Sequence, residues 1–397
     1  MQLFKRAALV APLLIAVSST AWSQAQVSGN AFNPALSLIL DGHYASYSRS
    51  PATYDLPGFL LDAEAALPNE GLSLDESELA VSANVDDKYY GFFTASVHQD
   101  GADTSVELEE AYFETLALPK GIKVKAGRFL SDIGYLNPVH AHAWDFVDAP
   151  LPYTAMLNTA YKDTGVQVSW VAPTVLFVQV GAEWLRGDSF PAADGAASQG
   201  TGASSVYFHV GGDVGAAASW RAGLSHLSAD ANGRGAAFLA GTAEFTGTSD
   251  LTIADFVWKW AHNGNPRDRY YIVQAEYLRR RENGQLAVTT PAASDVGPYT
   301  GTQSGFYTQA VYQFRPRWRV GVRYDRLDAS NTALVSIPTP LTEPHRPSRI
   351  SLMSDFSNSE FSRLRLQVNR DDSTPETDNQ LVFQYIMSLG AHGAHRF

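Results

Sequence analysis

Arg363-Leu-Arg-Leu-Gln-Val-Asn369 puts Leu364, Leu366 and Val368 on one face of an extended chain and Arg363, Arg365, Gln367 and Asn369 on the other. Arg317-Trp-Arg-Val-Gly-Val-Arg-Tyr324 has the same period of two. So does Gln380–Leu389, where Leu381, Phe383, Tyr385, Met387 and Leu389 alternate with Gln380, Gln384 and Ser388. Successive strand side chains point to opposite faces, so each stretch reads as a strand with one apolar and one polar surface. The alternation recurs from residue 35 to the C-terminus, and helical periodicity is scarce. It predicts about 16 strands, near 35–47, 73–86, 89–98, 105–117, 122–130, 163–171, 175–186, 205–212, 217–228, 251–261, 269–281, 305–315, 318–327, 349–357, 361–370 and 379–390.

A soluble sandwich and a membrane barrel share this local pattern, and the connections separate them. After the first strand, the long 48–72 is followed by Asp86–Lys88, the intermediate 99–104 by Leu118–Gly121, the long 131–162 by Ala172–Thr174, and 187–204 by Asp213–Gly215. Later, 283–304 and 329–348 are long, whereas Pro316–Arg317 and Asn358–Glu360 are short. Short turns at one end and long loops at the other are the arrangement of an outer-membrane barrel. The expected fold is therefore an all-β, transmembrane antiparallel β-barrel of about 16 strands, porin-like and without a plug domain. A barrel of that size leaves an aqueous channel.

The N-terminus fits export. Lys5 and Arg6 precede the apolar Ala7–Val17, and small and polar residues follow up to Ala25. That layout predicts a signal peptide over 1–25, cleaved after Ser23 or Ala25. About 11 apolar residues fall short of the roughly 20 that span a bilayer, and no later run is long enough for a transmembrane helix. About 372 residues remain as one barrel domain, 26–397, with no cysteine. Aromatic residues make up 12% of the chain, and a mean hydropathy of −0.15 is what strands with one polar face produce. The net charge of −12 argues against a nucleic-acid partner. The terminal Phe397 follows the last amphipathic strand, separated from it by Ala391–His395, and reads as an assembly signal for the barrel-assembly machinery.

The most pointed stretch is 131–162, expected to fold into the lumen as a constriction. It contains His140 and His142 around one residue, with Asp145 and Asp148 close by. Imidazole and carboxylate groups suit zinc, so these four are candidate metal ligands, and hydrogen bonding to the constriction backbone is the alternative. His392 and His395 form a second, terminal pair of candidates. Arg280, Arg319, Arg323, Arg363 and Arg365, with Lys123 and Lys125, lie opposite apolar faces and are expected to line the pore. Glu110 and Glu114 face inward if Ala111, Phe113 and Thr115 face lipid. Separate basic and acidic rows would set up a transverse field acting on small polar or ionic cargo. Arg279–Arg281 is expected at a strand end beside a loop. No G-x-S-x-G, H-E-x-x-H or phosphate-cradling glycine loop is present, so an enzyme is not expected.

Several stretches carry a resemblance: Asn33–Gly42, Ser77–Asn84, Glu109–Thr115, Ala126–Leu130, Gly134–Asn137, His140-Ala-His-Ala-Trp-Asp-Phe-Val-Asp-Ala-Pro150 and Ser388–His395. With them the chain resembles bacterial outer-membrane proteins often labelled zinc-regulated TonB-dependent receptors. More distantly, it is similar to phosphate-selective porins. The resemblance implies residence in the outer membrane, contact with its lipid, and expression or transport linked to zinc, with zinc as possible cargo and no resident cofactor. A TonB-dependent receptor would need 22 strands and a plug, which about 372 residues do not supply. The readings carried forward are a channel narrowed by 131–162, a zinc or zinc-chelate uptake protein (TonB-linked in the label's sense), and a structural or adhesive barrel. By analogy with porins, a homotrimer is the oligomer to test.

Overall fold

The computed structural model describes residues 34–390, apart from 63–64, 75, 101–102, 194–199 and 239. Within these residues, seventeen strands form one antiparallel sheet. They are β1 (Ala35–Tyr47), β2 (Gly71–Leu74), β3 (Ser77–Asn84), β4 (Tyr89–Asp100), β5 (Asp103–Thr115), β6 (Ile122–Leu130), β7 (Lys162–Val171), β8 (Phe177–Leu185) and β9 (Ala203–Val214). Then come β10 (Ala218–Phe238), β11 (Gly241–Ala261), β12 (Tyr270–Thr289), β13 (Ser294–Arg315), β14 (Trp318–Ala333), β15 (Ser348–Ser359), β16 (Ser362–Asp371) and β17 (Asp378–Gly390).

β1 closes the ring against β17, from Ser37↔Gly390 to Tyr47↔Gln380. Its other edge pairs with β3 below and β2 above, so those two short strands share one position. The result is a closed 16-strand barrel, as a lipid environment demands. The expected signal peptide (1–25), His392, His395 and Phe397 lie outside the described residues.

Inside the bilayer the two faces are as the sequence predicts. On β11, Trp260, Trp258 and Phe256 point outward, and Lys259 and Asp255 point inward. Four strands depart from expectation. β10 to β13 run for 20 to 22 residues each, so most of 229–250 and of 283–304, which lie between the predicted strands, is strand, and the second of these hairpins turns at 290–293. Arg279–Arg281 accordingly lies in mid-strand rather than at a strand end. Above the aromatic belt the amphipathicity inverts. Thr242, Thr246 and Thr248 face outward, while Ala243, Phe245, Leu286, Val288 and Tyr299 face inward. Leu60 and Leu341, from the connections 48–70 and 334–347, complete that inner cluster. An exposed strand above the membrane gains nothing from an apolar outer face, and the incoming loops give it an apolar inner one.

The seam between β5 and β6 is short, with paired residues only from Ala111↔Arg128 to Glu114↔Lys125. Gly127 sits in it at φ +130, where a Cβ would lie 2.1 Å from the Ala111 carbonyl oxygen, so glycine is what lets the two strands meet. Above this seam Arg128 Nε donates to the Leu108 carbonyl at 2.9 Å, and Lys162 Nζ reaches Glu109 at 2.6 Å. Side chains thus take over where the ladder stops.

Candidate functional site: the segment that crosses the lumen

Residues 131–161 join β6 to β7 and run through the barrel interior. Asn137 closes the neck of this excursion. Its amide donates to the carbonyls of Ser131 (2.7 Å) and Tyr161 (2.9 Å) and accepts from Tyr161 N–H (2.7 Å). From there the segment touches four arcs of the wall.

The first contact is with β8, where Glu183 accepts from Asp132 N–H at 3.0 Å and from the Ser131 hydroxyl. On β12, Glu276 accepts from the backbone N–H groups of Tyr135 and Leu136, both at 3.0 Å, and from the Tyr153 hydroxyl at 2.9 Å. A carboxylate holding three donors of one loop fixes that loop's position as well as its backbone.

The second contact is the histidine end. A 3₁₀ turn, Ala141–Ala143, sets the His140 and His142 rings on one side, stacked with centroids 5.7 Å apart. Glu78 of β3 meets both, at 3.2 Å from His140 Nδ1 and 2.7 Å from His142 Nδ1. Glu110 of β5 takes His140 Nε2 at 2.9 Å. Burial disfavours the charged ring, but the Glu78 and Glu110 carboxylates outweigh it and hold the His140 imidazole well above its usual pKa.

The third contact is the aspartate end. Asp145 pairs with Arg319 at 2.8 Å, and Asp148 with Arg323 at 2.7 Å and Arg349 at 3.0 Å. Backbone carbonyls join in: Arg363 donates to that of His142, Arg365 to that of Trp144 (2.7 Å) and Arg349 to that of Ala149 (2.8 Å). Burial pushes the Asp148 carboxyl up, but the two guanidiniums prevail and hold it at about 2.

The fourth contact is apolar. Pro150 and Pro152 open a short helix, α1 (Leu151–Leu157), which Asn158 ends in the left-handed region at φ 51. The sequence reading had a loop here. Every residue of α1 is buried, in a cluster that includes Phe59, Leu251, Leu278, Tyr307 and Leu327. The lumen therefore contains a packed core at this height, where the sequence led us to expect water. A cavity of about 480 Å³ lies between Tyr54, Leu61, Asp62 and Ala66 of the 48–70 connection and Thr242 and Glu244 of β11.

The structure thus brings His140 and His142 together but places Asp145 and Asp148 among arginines, away from them. The carboxylate beside the histidines is Glu78, which sequence reasoning missed although it lies inward in the quoted Ser77–Asn84 strand. Arg349 was missed too, and the signal was its alternation with Ile350 and Leu352. The predicted basic residues do point inward, but as partners of the segment and of one another. Arg280 Nε donates to Gln303 at 2.7 Å and lies 3.4 Å from Glu282. Lys123 pairs with Glu114 at 3.1 Å, and Lys125 stands over the Tyr112 ring. Acidic and basic rows exist, and their members are engaged by countercharges, by the segment's backbone carbonyls or, for Lys125, by a ring.

Known proteins place this architecture. The 82% of an uncharacterized protein from Aquifex aeolicus (strain VF5) that aligns is 30% identical to 95% of this chain. Among solved structures, in-vitro folded OmpT of Vibrio cholerae in its trimer form superposes with a TM-score of 0.54 at 9% identity. It covers 90% of this chain and 99% of its own. The anion-selective porin from Comamonas acidovorans superposes at 0.52 with 11% identity, again covering 90% and 99%. At such identities these two structures show the fold alone. None of these matches supports a TonB-dependent or zinc-receptor reading. The profile of the family described as "Putative beta-barrel porin-2, OmpL-like" matches residues 81–389, and this outer-membrane, porin-like chain belongs to that family.

Proposed function

We propose that the protein is a tightly constricted channel for small polar or ionic solutes, in which 131–161 stands across the lumen and leaves only narrow paths beside it. The observation that supports this most is the burial of α1 inside a 16-strand barrel, against β12 to β14, since a barrel that wide is otherwise open to water. With its charged rows paired, selectivity would come from the width of those paths more than from a free transverse field. Reconstitution into planar bilayers tests the reading: small, stepwise conductance is expected, and folded protein without steps would overturn it.

A structural or adhesive barrel is the second reading, favoured by the apolar inner cluster that the outer loops form with the long β10–β13 strands. Silence in bilayers would support it. Homotrimeric association is also proposed, because one protein of this fold is described in a trimer form. Light scattering on the detergent-purified barrel checks it, and a monomeric mass would remove it. For Phe397, the proposed role is assembly, and its deletion should lower the yield of membrane-inserted, heat-modifiable barrel.

A further inference from the structure

We propose that Glu78, His140 and His142 form a binding site for a divalent transition-metal ion such as zinc, fastening the lumen-crossing segment to β3. One ligand atom from each of the three lies within 4.8 Å of the other two. Zinc bonds nitrogen and carboxylate oxygen at about 2.0–2.2 Å, so an ion drawing three ligands to itself needs only small side-chain shifts here. Two neutral nitrogens and one carboxylate leave a fourth position for water or for a solute donor.

Glu110 supplies what a chance cluster lacks. It takes His140 Nε2 at 2.9 Å, which leaves His140 Nδ1 turned to Glu78 and to the centre of the set. A carboxylate behind a ligating imidazole fixes the ring's tautomer and orientation, the usual arrangement behind metal-bound histidines. Arg363 holds the His142 carbonyl, so the turn carrying both rings is fixed from the far side as well. Glu76, Glu109 and Lys162 act electrostatically on the neighbouring groups. Asp145 and Asp148 are excluded, being committed to Arg319, Arg323 and Arg349.

This site does not depend on the channel reading, because its test is binding. Isothermal titration of zinc chloride into the purified full barrel should show one saturable site. His140→Ala/His142→Ala and Glu78→Gln should abolish it. Glu110→Gln, which leaves all three ligands in place, should weaken it by roughly 10- to 100-fold. Cobalt(II) offers a second readout, since its visible absorption reports ligand number and should vanish in the double histidine variant. Heat-modifiable migration on gels shows that each variant is folded. No zinc binding by wild type, equal binding by the double histidine variant, or loss of binding only in His392→Ala/His395→Ala would overturn the proposal.

Discussion

His140 and Asp148 stand eight residues apart on one segment, and the wall holds them with different chemistry. At the histidine end two rings meet two carboxylates, with Glu78 shared between the rings. At the aspartate end five arginines (319, 323, 349, 363 and 365) take two carboxylates and four carbonyls. Guanidinium groups stay charged at any pH the cell meets and bond as rigid forks, so the aspartate end is a permanent clamp. The histidine end consists of groups able to exchange a proton for a metal ion.

The largest effect should come from removing the compared region altogether. Replacing 138–158 with a short Gly-Ser link deletes both ends and α1, and single-channel conductance should rise several-fold toward that of an open 16-strand pore. Unchanged conductance in folded protein would mean that the segment does not set the path. Breaking only the clamp comes next. Arg349 lies 3.0 Å from Asp148 and 3.7 and 3.8 Å from Asp325 and Asp371, so Arg349→Ala strands buried carboxylates. A loss of about 3–5 kcal/mol in unfolding free energy is expected, with noisier conductance. Glu78→Gln, which keeps the shape and weakens hydrogen bonds at the other end, should cost about 1–3 kcal/mol. Similar losses for the two variants, measured by urea unfolding, would erase the distinction drawn between the ends.

The bilayer part of the barrel was legible because lipid on one side and polar lumen on the other impose the same alternation on every strand, as in Leu364–Asn369. The upper halves of β10 to β13 were not. There Phe245, Leu286 and Val288 face inward among threonines and glycines, against loops that no local window contains. The segment 131–161 was legible as an ordered insertion from its prolines and aromatics, and its histidine pair as a possible ligand set. Its partners were not, because Glu78 lies 62 residues before His140 and Arg349 lies 201 residues after Asp148. Spacing along the chain suggested that Asp145 and Asp148 complete the histidine set. In the fold, the backbone between them turns toward the arginine wall, and charge complementarity decides the partners.

Acid should give the smallest effect and the sharpest test of the clamp. Asp148 is held at about 2 against an ordinary value of 3.8, so its contribution is complete above about pH 4 and declines as pH falls through 3.8 toward 2. The sign follows from proton counting: between these values the released form binds a proton that the clamped form does not, so acid favours release. Resting conductance of the wild type should therefore be level from pH 7 to 4 and rise below that. Asp148→Asn has no carboxylate to titrate and should already show, at pH 7, part of what acid brings out in the wild type. Its profile should then be flatter below pH 4. Parallel profiles would assign the acid effect to other carboxylates and would move the centre of the clamp from Asp148 to the backbone carbonyls that Arg349, Arg363 and Arg365 hold.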